Sequence, residues 1–302
     1  MLPPRPEPNP TREAREALLV WDRAHRVGYP WRRTEWDPYA TLVSEVMLQQ
    51  TQASRVAPIF EAFLARFPSI EALAAAPRGD VLTAWAGLGY HRRAVALHEA
   101  ARAIVRDLGG RVPGEVAALR ALPGVGPYTA AAVASIAFDV PVAAVDTNVR
   151  KVIARLVFGA ERDEITPRQA GEEAAAWLDP DRPGEWNQAV MNLGRDVCRT
   201  RPRCEACPLA DVCRFRASGR EGRPSVRRQS AFHGSVRQVR GAVVATLRET
   251  SPSTLGAIAL ATGWPRDRVT DAVAALHGDG VVEASPAALD GRPRGRVRFP
   301  EG

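Results

Sequence analysis

The sequence predicts an all-α body followed by a small winged-helix-like C-terminal module, and three observations carry that expectation. Hydrophobic residues make up 45% of the 302 residues and aromatics only 6%, which describes a core built on Ala, Leu and Val, where strong helix formers outnumber β-branched runs. Apolar residues recur at helical spacing from Thr11 onward, and no alternating strand pattern shows before the last quarter of the chain. The chain then closes on three short helical segments and a hairpin-like stretch, which is the order of a winged helix.

Taken in order, residues 1–10, "MLPPRPEPNP", are Pro-rich and expected to be disordered, with no apolar h-region of a signal peptide. Thr11 to Arg26 reads as an amphipathic helix with Thr11 as its N-cap. "GYPWRRTEWDP" is a loop of aromatics and cations. Helical patterning returns in "YATLVSEVMLQQTQASRVAPIFEAFLARF", where Pro58 is expected to break the helix in two. Ser69 to Ala76, Arg78 to Ala86 and Arg92 to Leu108 are further helices separated by turn signals.

"LRALPGVGPYTAAAVASIAF" holds the most informative turn. A helix ends at Leu122, Pro123-Gly124-Val125-Gly126 turns tightly, and a new helix opens with Pro127 at its first position, where a missing N–H costs nothing. The glycines let backbone approach a ligand, and the free N–H groups at the helix start favour an anion. Gly124, Val125 and Gly126 are therefore candidate phosphate-binding residues, although a plain αα-hairpin also accommodates such glycines. Residues 216–235 read as a basic linker, and 236–302 as the winged-helix-like module. "RGAVVATLRE", "STLGAIALATG" and "PRDRVTDAVAALHGDG" supply its helices, and "VVEASPAALDGRPRGRVRF" its hairpin. Packing and DNA contact are both open roles for it.

The formal charge is +7, which favours a polyanionic partner. Only one of the 41 basic residues, Lys151, is a lysine, so chemistry that needs a lysine amine has a single candidate. No apolar run reaches spanning length, which argues against a membrane helix and for a cytoplasmic protein. All four cysteines, Cys198, Cys204, Cys207 and Cys213, lie within sixteen residues as C-x5-C-x2-C-x5-C. In a reducing compartment this means a metal site, either one tetrahedral zinc or one iron–sulfur cluster. The single C-x2-C knuckle favours a 4Fe–4S cluster. Arg199, Arg201 and Arg203 in the first loop suit phosphate contact. In "AVDTNVRK", Asp146 is either the N-cap of the following helix or an active acid.

The combination resembles a known family. "SEVMLQQTQ", "WAGLGYHRRA", "LPGVGPYTAAAV", "AVDTNVRKV" and "WNQAVMNLG" followed by the cysteine loop are similar to the MutY-type adenine glycosylases of the helix-hairpin-helix DNA glycosylase superfamily. The resemblance covers residues 12 to 215. It implies an all-α two-lobed core, with an iron–sulfur lobe from 11–28 and 138–215 and a six-helix barrel lobe from 29–137 that carries the helix-hairpin-helix. It also implies excision of adenine opposite 8-oxoguanine or guanine in double-stranded DNA, by a monomer associated with the nucleoid. Glu45 matches the acid that protonates adenine at N7, and its apolar neighbours argue for burial and a raised pKa. By the same resemblance Asp146 stabilises the cationic sugar, Tyr128 places a hydroxyl near the anomeric carbon, and Asn148 orients the nucleophile. Gln50, Thr51, Leu88 and Tyr90 match residues that wedge into the base stack. Trp31, Arg32, Leu48 and Gln188 match the adenine pocket.

Three features depart from the family pattern. The first cysteine spacing is five residues instead of six, Thr147 stands where many members have glycine, and a helical module replaces a Nudix-like C-terminal domain. "FHG" near residue 232 is the nearest match to a lesion-reading loop. Three rival readings stand beside this one. A thymine or uracil mismatch glycosylase shares the tyrosine-bearing hairpin, but "LQQTQ" and Gln188 favour adenine. An iron–sulfur winged-helix regulator leaves Glu45, Tyr128 and Asp146 without a role. A bifunctional lyase would carry a lysine at position 128.

Overall fold

The computed structural model describes residues 11–32, 37–223 and 232–301. Residues 1–10 and the centre of the expected linker, 224–231, lie outside the described residues. The helices are α1 (Arg12–His25), α2 (Pro38–Leu48), α3 (Ala53–Arg66), α4 (Ile70–Ala75), α5 (Arg78–Ala84), α6 (Arg92–Leu108), α7 (Val116–Arg120), α8 (Pro127–Phe138), α9 (Thr147–Phe158), α10 (Pro167–Trp177), α11 (Pro183–Asp196) and α12 (Arg214–Ala217). The C-terminal part adds α13 (Val236–Thr250), β1 (Ser253–Thr254), α14 (Leu255–Thr262), α15 (Arg266–Gly278), β2 (Glu283–Ala284), α16 (Pro286–Leu289) and β3 (Arg296–Arg298). Among the described residues no helix is long and apolar enough to cross a membrane.

Local chemistry sets many of these boundaries. The Thr11 side chain accepts the Ala14 N–H and caps α1 as expected. Gly109, at φ 60°, closes α6 in the left-handed conformation that glycine adopts without strain. Pro58 does not break its helix: it lies inside α3, and the interruption falls earlier, at Gln50 with φ 56°. Pro58 and Ser54, whose carbonyl loses its partner, are both exposed, so water satisfies the freed acceptor and the helix continues.

The chain forms two compact units. The first comprises Met1–Glu45, Pro113–Ala121 and Val125–Arg227; the second comprises Val46–Val112, Leu122–Gly124 and Arg228–Gly302. This division differs from the lobes expected at 29–137 and 138–215, and packing explains the difference. In the first unit α8 lies directly on α11, where a Cβ on Gly184 would meet the Ser135 carbonyl oxygen at 2.8 Å and Ile136 Cα at 3.0 Å. The hairpin's second helix therefore joins the unit of α9 and α11. Leu18, Leu19, Val149, Ile153, Trp186 and Leu193 make its main core. The expected linker begins as a pinned segment, since Arg220 and Arg223 both pair with Glu164.

In the second unit Phe63 meets Phe67 and Trp85 edge-on, at 4.9 and 6.0 Å between ring centroids, a favoured aromatic geometry. The C-terminal part has the expected three helices and hairpin. A strand not visible in the sequence pattern, β1, pairs antiparallel with β3, as does β2, giving the order β1-β3-β2. Val243, Leu255, Val269, Leu276 and Val297 are fully buried beneath it. The module rests on α5: Arg78 Nη1 donates to the Gly280 carbonyl at 3.2 Å, and Gly79 leaves space occupied by the Phe299 ring.

The close approach of α8 and α11 generates a test. Gly184→Ala forces a methyl against backbone, which does not yield like a flexible side chain, so a loss of ~1–3 kcal/mol is expected. Urea melts compared with those of Gly171→Ala, where a Cβ meets nothing within 4 Å, check it; equal stabilities contradict the packing.

Candidate active site

Glu45 lies on α2 with 6% of its surface exposed, and its Oε2 has no hydrogen-bond partner. Burial pushes its pKa from 4.5 to about 7; the Tyr128 hydroxyl draws it down, the Asp146 carboxylate pushes it up, and Arg32 draws it down. The side chain is thus a proton donor poised near neutrality. The Tyr128 hydroxyl donates to Met191 Sδ at 3.4 Å. Burial and the two neighbouring carboxylates hold its pKa well above 10, so it acts as a neutral hydroxyl.

Asp146 caps α9. Its Oδ1 accepts the N–H groups of Asn148 and Val149 at 2.8 and 2.7 Å, and its Oδ2 accepts Asn148 Nδ2 at 3.0 Å. Burial raises its pKa, against the opposing pull of these donors and of Lys151. Asp146 is thus the N-cap of α9, and the bonds that cap the helix also fix its carboxylate. Asn148 spends its amide on Asp146, and Gly194 gives it room: a Cβ there would lie 2.7 Å from Asn148 Cβ. Thr147 opens α9 and is exposed.

Asn187 is a residue that sequence reasoning missed. It is fully buried; its Oδ1 accepts the Ala144 N–H at 2.8 Å, and its Nδ2 donates to Ser135 Oγ and the Val142 carbonyl, both at 2.9 Å. One amide thus anchors the loop that delivers Asp146. Its signal lay in "WNQAVMNLG", where only Gln188 was singled out.

Arg32 lies largely buried beside Glu45. It donates from Nη2 to Asn192 Oδ1 at 2.9 Å and pairs with Asp22 at 3.9 Å, while Asn192 Nδ2 donates to Asp22 Oδ1 at 2.5 Å. Trp31 stacks on Tyr29 at 4.8 Å with 8° between planes, and Gln188 is buried on α11. Glu45, Tyr128, Asp146, Asn148, Arg32, Trp31 and Gln188 all belong to the first unit.

Leu48, Gln50, Thr51, Leu88, Tyr90 and Gly124 belong to the second unit, whereas Val125, Gly126 and the four cysteines belong to the first. Gln50 is exposed at φ 56°, and Tyr90 is 42% exposed at φ 46°. Thr51 and Leu48 are half-buried. Leu88 is buried at 3% exposure, because it sits inside the turn after α5, where its N–H bonds to the Trp85 carbonyl. It therefore packs beneath the loop instead of projecting from it. Gly124 has φ 73°, and a Cβ there would meet Ala96 Cβ at 2.6 Å, so this turn requires glycine. Gly126 is the N-cap of α8.

Cys198, Cys204, Cys207 and Cys213 line one small hollow together with Arg155, Pro202 and Phe215. Among the described residues no three or more His, Cys, Asp or Glu side chains are grouped to hold a single metal ion. Burial pushes the Cys207 thiol up to about 12 and raises Cys198 and Cys213; a bound metal reverses this by favouring thiolates. Arg155 pins the adjoining loop. It donates to the Arg199 carbonyl at 2.5 Å, to both Glu161 oxygens at 2.8 and 3.1 Å, and to Cys198 Sγ at 3.6 Å. Arg199, Arg201 and Arg203 are exposed. Lys151, read in sequence as a phosphate contact or a surface lysine, is half-buried and donates to the Gly194 carbonyl at 2.8 Å.

A helical hairpin formed by α7 and α8, with Glu45 on α2 and Asp146 at the start of α9, defines a class. Residues 43–180 match the family of HhH-GPD superfamily base excision DNA repair proteins. The chain is 43% identical over 281 residues to an adenine DNA glycosylase of Mycolicibacterium smegmatis, covering 91% of this chain and 93% of that one. It is 45% identical over 238 residues to an adenine DNA glycosylase of Mycobacterium tuberculosis, covering 76% and 77%. Among solved structures, a thermostable thymine-DNA glycosylase superposes with a TM-score of 0.63 at 31% identity, covering 68% of this chain and 95% of that one. The chain belongs to the adenine DNA glycosylase family of the HhH-GPD superfamily.

The Glu45 environment fixes a pH dependence. A proton donor with a pKa of about 7 makes the rate fall as pH rises through that value. The same displacement appears in stability. The folded state binds this proton more tightly than the unfolded chain, so the protonated carboxyl's contribution is complete below 4.5 and gone above about 7, a difference of about 3 kcal/mol. Glu45→Gln has no such titration. Its stability relative to wild type should therefore climb by that amount across the window, read by urea melts at several pH values; parallel curves would refute the buried acid.

Proposed function

We propose that this protein removes adenine mispaired with 8-oxoguanine or guanine in double-stranded DNA and leaves an intact abasic site. The observation that carries the reading is the pair of unlike carboxyls. Glu45 is buried and protonated near neutrality with one oxygen free. Asp146 accepts from three N–H donors, which oppose the rise burial imposes on its pKa. Glycosidic cleavage needs both: an acid to protonate the leaving base, and an anion to stabilise the oxocarbenium sugar. With adenine flipped from the stack, Glu45 protonates N7, Asp146 faces the developing cation, and the Tyr128 hydroxyl lies near the anomeric carbon. Asn148 holds the Asp146 carboxylate. Trp31, Arg32 and Gln188 of the first unit contact the adenine, and Leu48 of the second is a further adenine-contact residue. Gln50, Thr51 and Tyr90 enter or contact the opposed pair above the packed Leu88. The Gly124-Val125-Gly126 turn binds a backbone phosphate through N–H groups at the start of α8.

Hydrolysis without strand cleavage follows from the residues. A lyase step forms a Schiff base, which needs an amine at C1′. Position 128 carries a phenol, and the single lysine donates to Gly194. A panel of duplexes bearing A:8-oxoG, A:G, T:G and thymine glycol tests the reading. Adenine release from the first two without a borohydride-trapped adduct is expected, and thymine release would transfer the chain to the mismatch-thymine reading. Asp146→Asn should bind A:8-oxoG duplex yet lose activity on the order of 100- to 1000-fold. Single-turnover rates within about threefold of wild type would leave Asp146 only its capping role.

Cys198, Cys204, Cys207 and Cys213 would hold a 4Fe–4S cluster; their shared place around one hollow and the single C-x2-C knuckle support that reading. Through a bound cluster the four cysteines would fix the loop of Arg199, Arg201 and Arg203 to the end of α11, and those arginines would face phosphate. The purified protein should be yellow-brown with absorbance near ~400 nm. A colourless protein with one zinc and no iron would overturn the assignment.

A further inference from the structure

Arg93, in the first turn of α6, reaches six acceptors. Its Nη1 donates to the carbonyls of Val46, Met47 and Gln49 at 3.1, 2.8 and 2.5 Å. Its Nη2 donates to Thr51 Oγ1 at 2.9 Å and to the carbonyls of Leu88 and Gly89 at 3.2 and 3.4 Å. The guanidinium also lies over the rings of Tyr90 and Trp85, at 5.3 and 5.5 Å from their centroids, and Trp85 Nε1 donates to the Gly89 carbonyl at 3.1 Å.

These acceptors belong to two separate turns. One follows α2 and contains Gln50 at φ 56°; the other precedes α6 and contains Tyr90 at φ 46°. Non-glycine residues hold the left-handed region only where their surroundings enforce it. Here both such residues flank the same guanidinium. A helix C-cap for α2 would need only the Val46 and Met47 carbonyls. The additional reach to Thr51, Leu88 and Gly89 ties the second turn to the first. Lysine could not reproduce this, since an ammonium lacks the planar fork that spans two acceptor groups and stacks on rings.

We infer that Arg93 is a positioning residue that clamps these two turns, so that Gln50 and Tyr90 are presented to DNA as one rigid pair. The inference rests on the proposed reading of Gln50, Thr51 and Tyr90 as DNA-contacting residues. Arg93 itself needs no contact with DNA. Its effect is carried by backbone carbonyls, and it is felt in how readily the adenine leaves the stack.

The test uses the full chain with 2-aminopurine replacing the target adenine, whose fluorescence reports extrusion. Single-turnover adenine release is measured in parallel, both per titrated active site. Arg93→Lys keeps the charge and loses the fork; its extrusion signal and rate should fall on the order of 100-fold, the scale of ångström misplacement. The alkaline limb set by Glu45 should stay at about 7. Thr51→Val removes one arm and should lower both readouts by roughly three- to tenfold. A merely structural arginine would change the melting temperature and the fraction of active enzyme but neither per-site value. Arg93→Lys within about twofold of wild type, beside a Tyr90→Ala that loses extrusion, overturns the clamp and leaves the DNA-contact reading standing. Full extrusion by both Tyr90→Ala and Gln50→Ala overturns that reading and the clamp with it. Should Arg93→Lys fail to fold, Thr51→Val decides alone, and a per-site value within about twofold of wild type overturns the clamp.

Discussion

The active site depends on keeping one carboxyl out of water. Desolvation is the largest influence on Glu45, and it has to outweigh both a hydroxyl and a guanidinium that favour the charged form. Arg32 is the more dangerous neighbour, because a direct ion pair would drive the Glu45 pKa down and remove the proton. The fold answers with Asp22 and Asn192, two buried residues that hold the Arg32 side chain. Asp22 on α1 and Asn192 on α11 thus protect the acid without touching it. Their loss should matter more than their distance from the chemistry suggests.

Asp146 shows the complementary solution. The proposed role needs its carboxylate ionised, yet burial raises its pKa. Three N–H donors from the start of α9 oppose that rise, and a helix N-terminus adds favourable dipole. A residue that caps a helix is also one whose carboxylate cannot swing away. The bonds that cap α9 and the proposed catalytic placement of the carboxylate are therefore one piece of geometry. Helix α11 supports it from behind, with Asn187 fixing the loop before Asp146 and Gly194 admitting Asn148.

Short-range chemistry was the legible part of the chain. The Thr11 cap, the α6 span from Arg92 to Leu108, Pro127 at the first position of α8 and the four cysteines were all readable, because each depends on neighbours within one turn or one loop. The burial of Glu45 was also readable from the apolar run around it. What escaped depends on partners far along the chain. Asn187 bonds across 43 to 52 residues, and Arg93 across up to 47. The helix break expected at Pro58 lies at Gln50, where a tertiary clamp outweighs a local breaker. Leu88 carried no local sign that it would be covered.

Composition invites a simple reading of the arginines as a charge for DNA, and the structure divides them instead. Arg32, Arg93 and Arg155 are turned inward, each satisfying carbonyls or carboxylates that would otherwise be stranded. Burial lowers the pKa of Arg93 to about 10, still far enough above neutrality for the charge to persist. A lysine so placed would begin lower and shift readily, as the lowered pKa of Lys151 shows. Near-exclusive use of arginine therefore permits buried cations that stay charged and bridge several acceptors at once. The arginines of the cysteine loop, Arg199, Arg201 and Arg203, face solvent instead. The net charge of +7 counts both groups alike, but only the exposed one releases counterions on DNA and contributes to the salt dependence of binding.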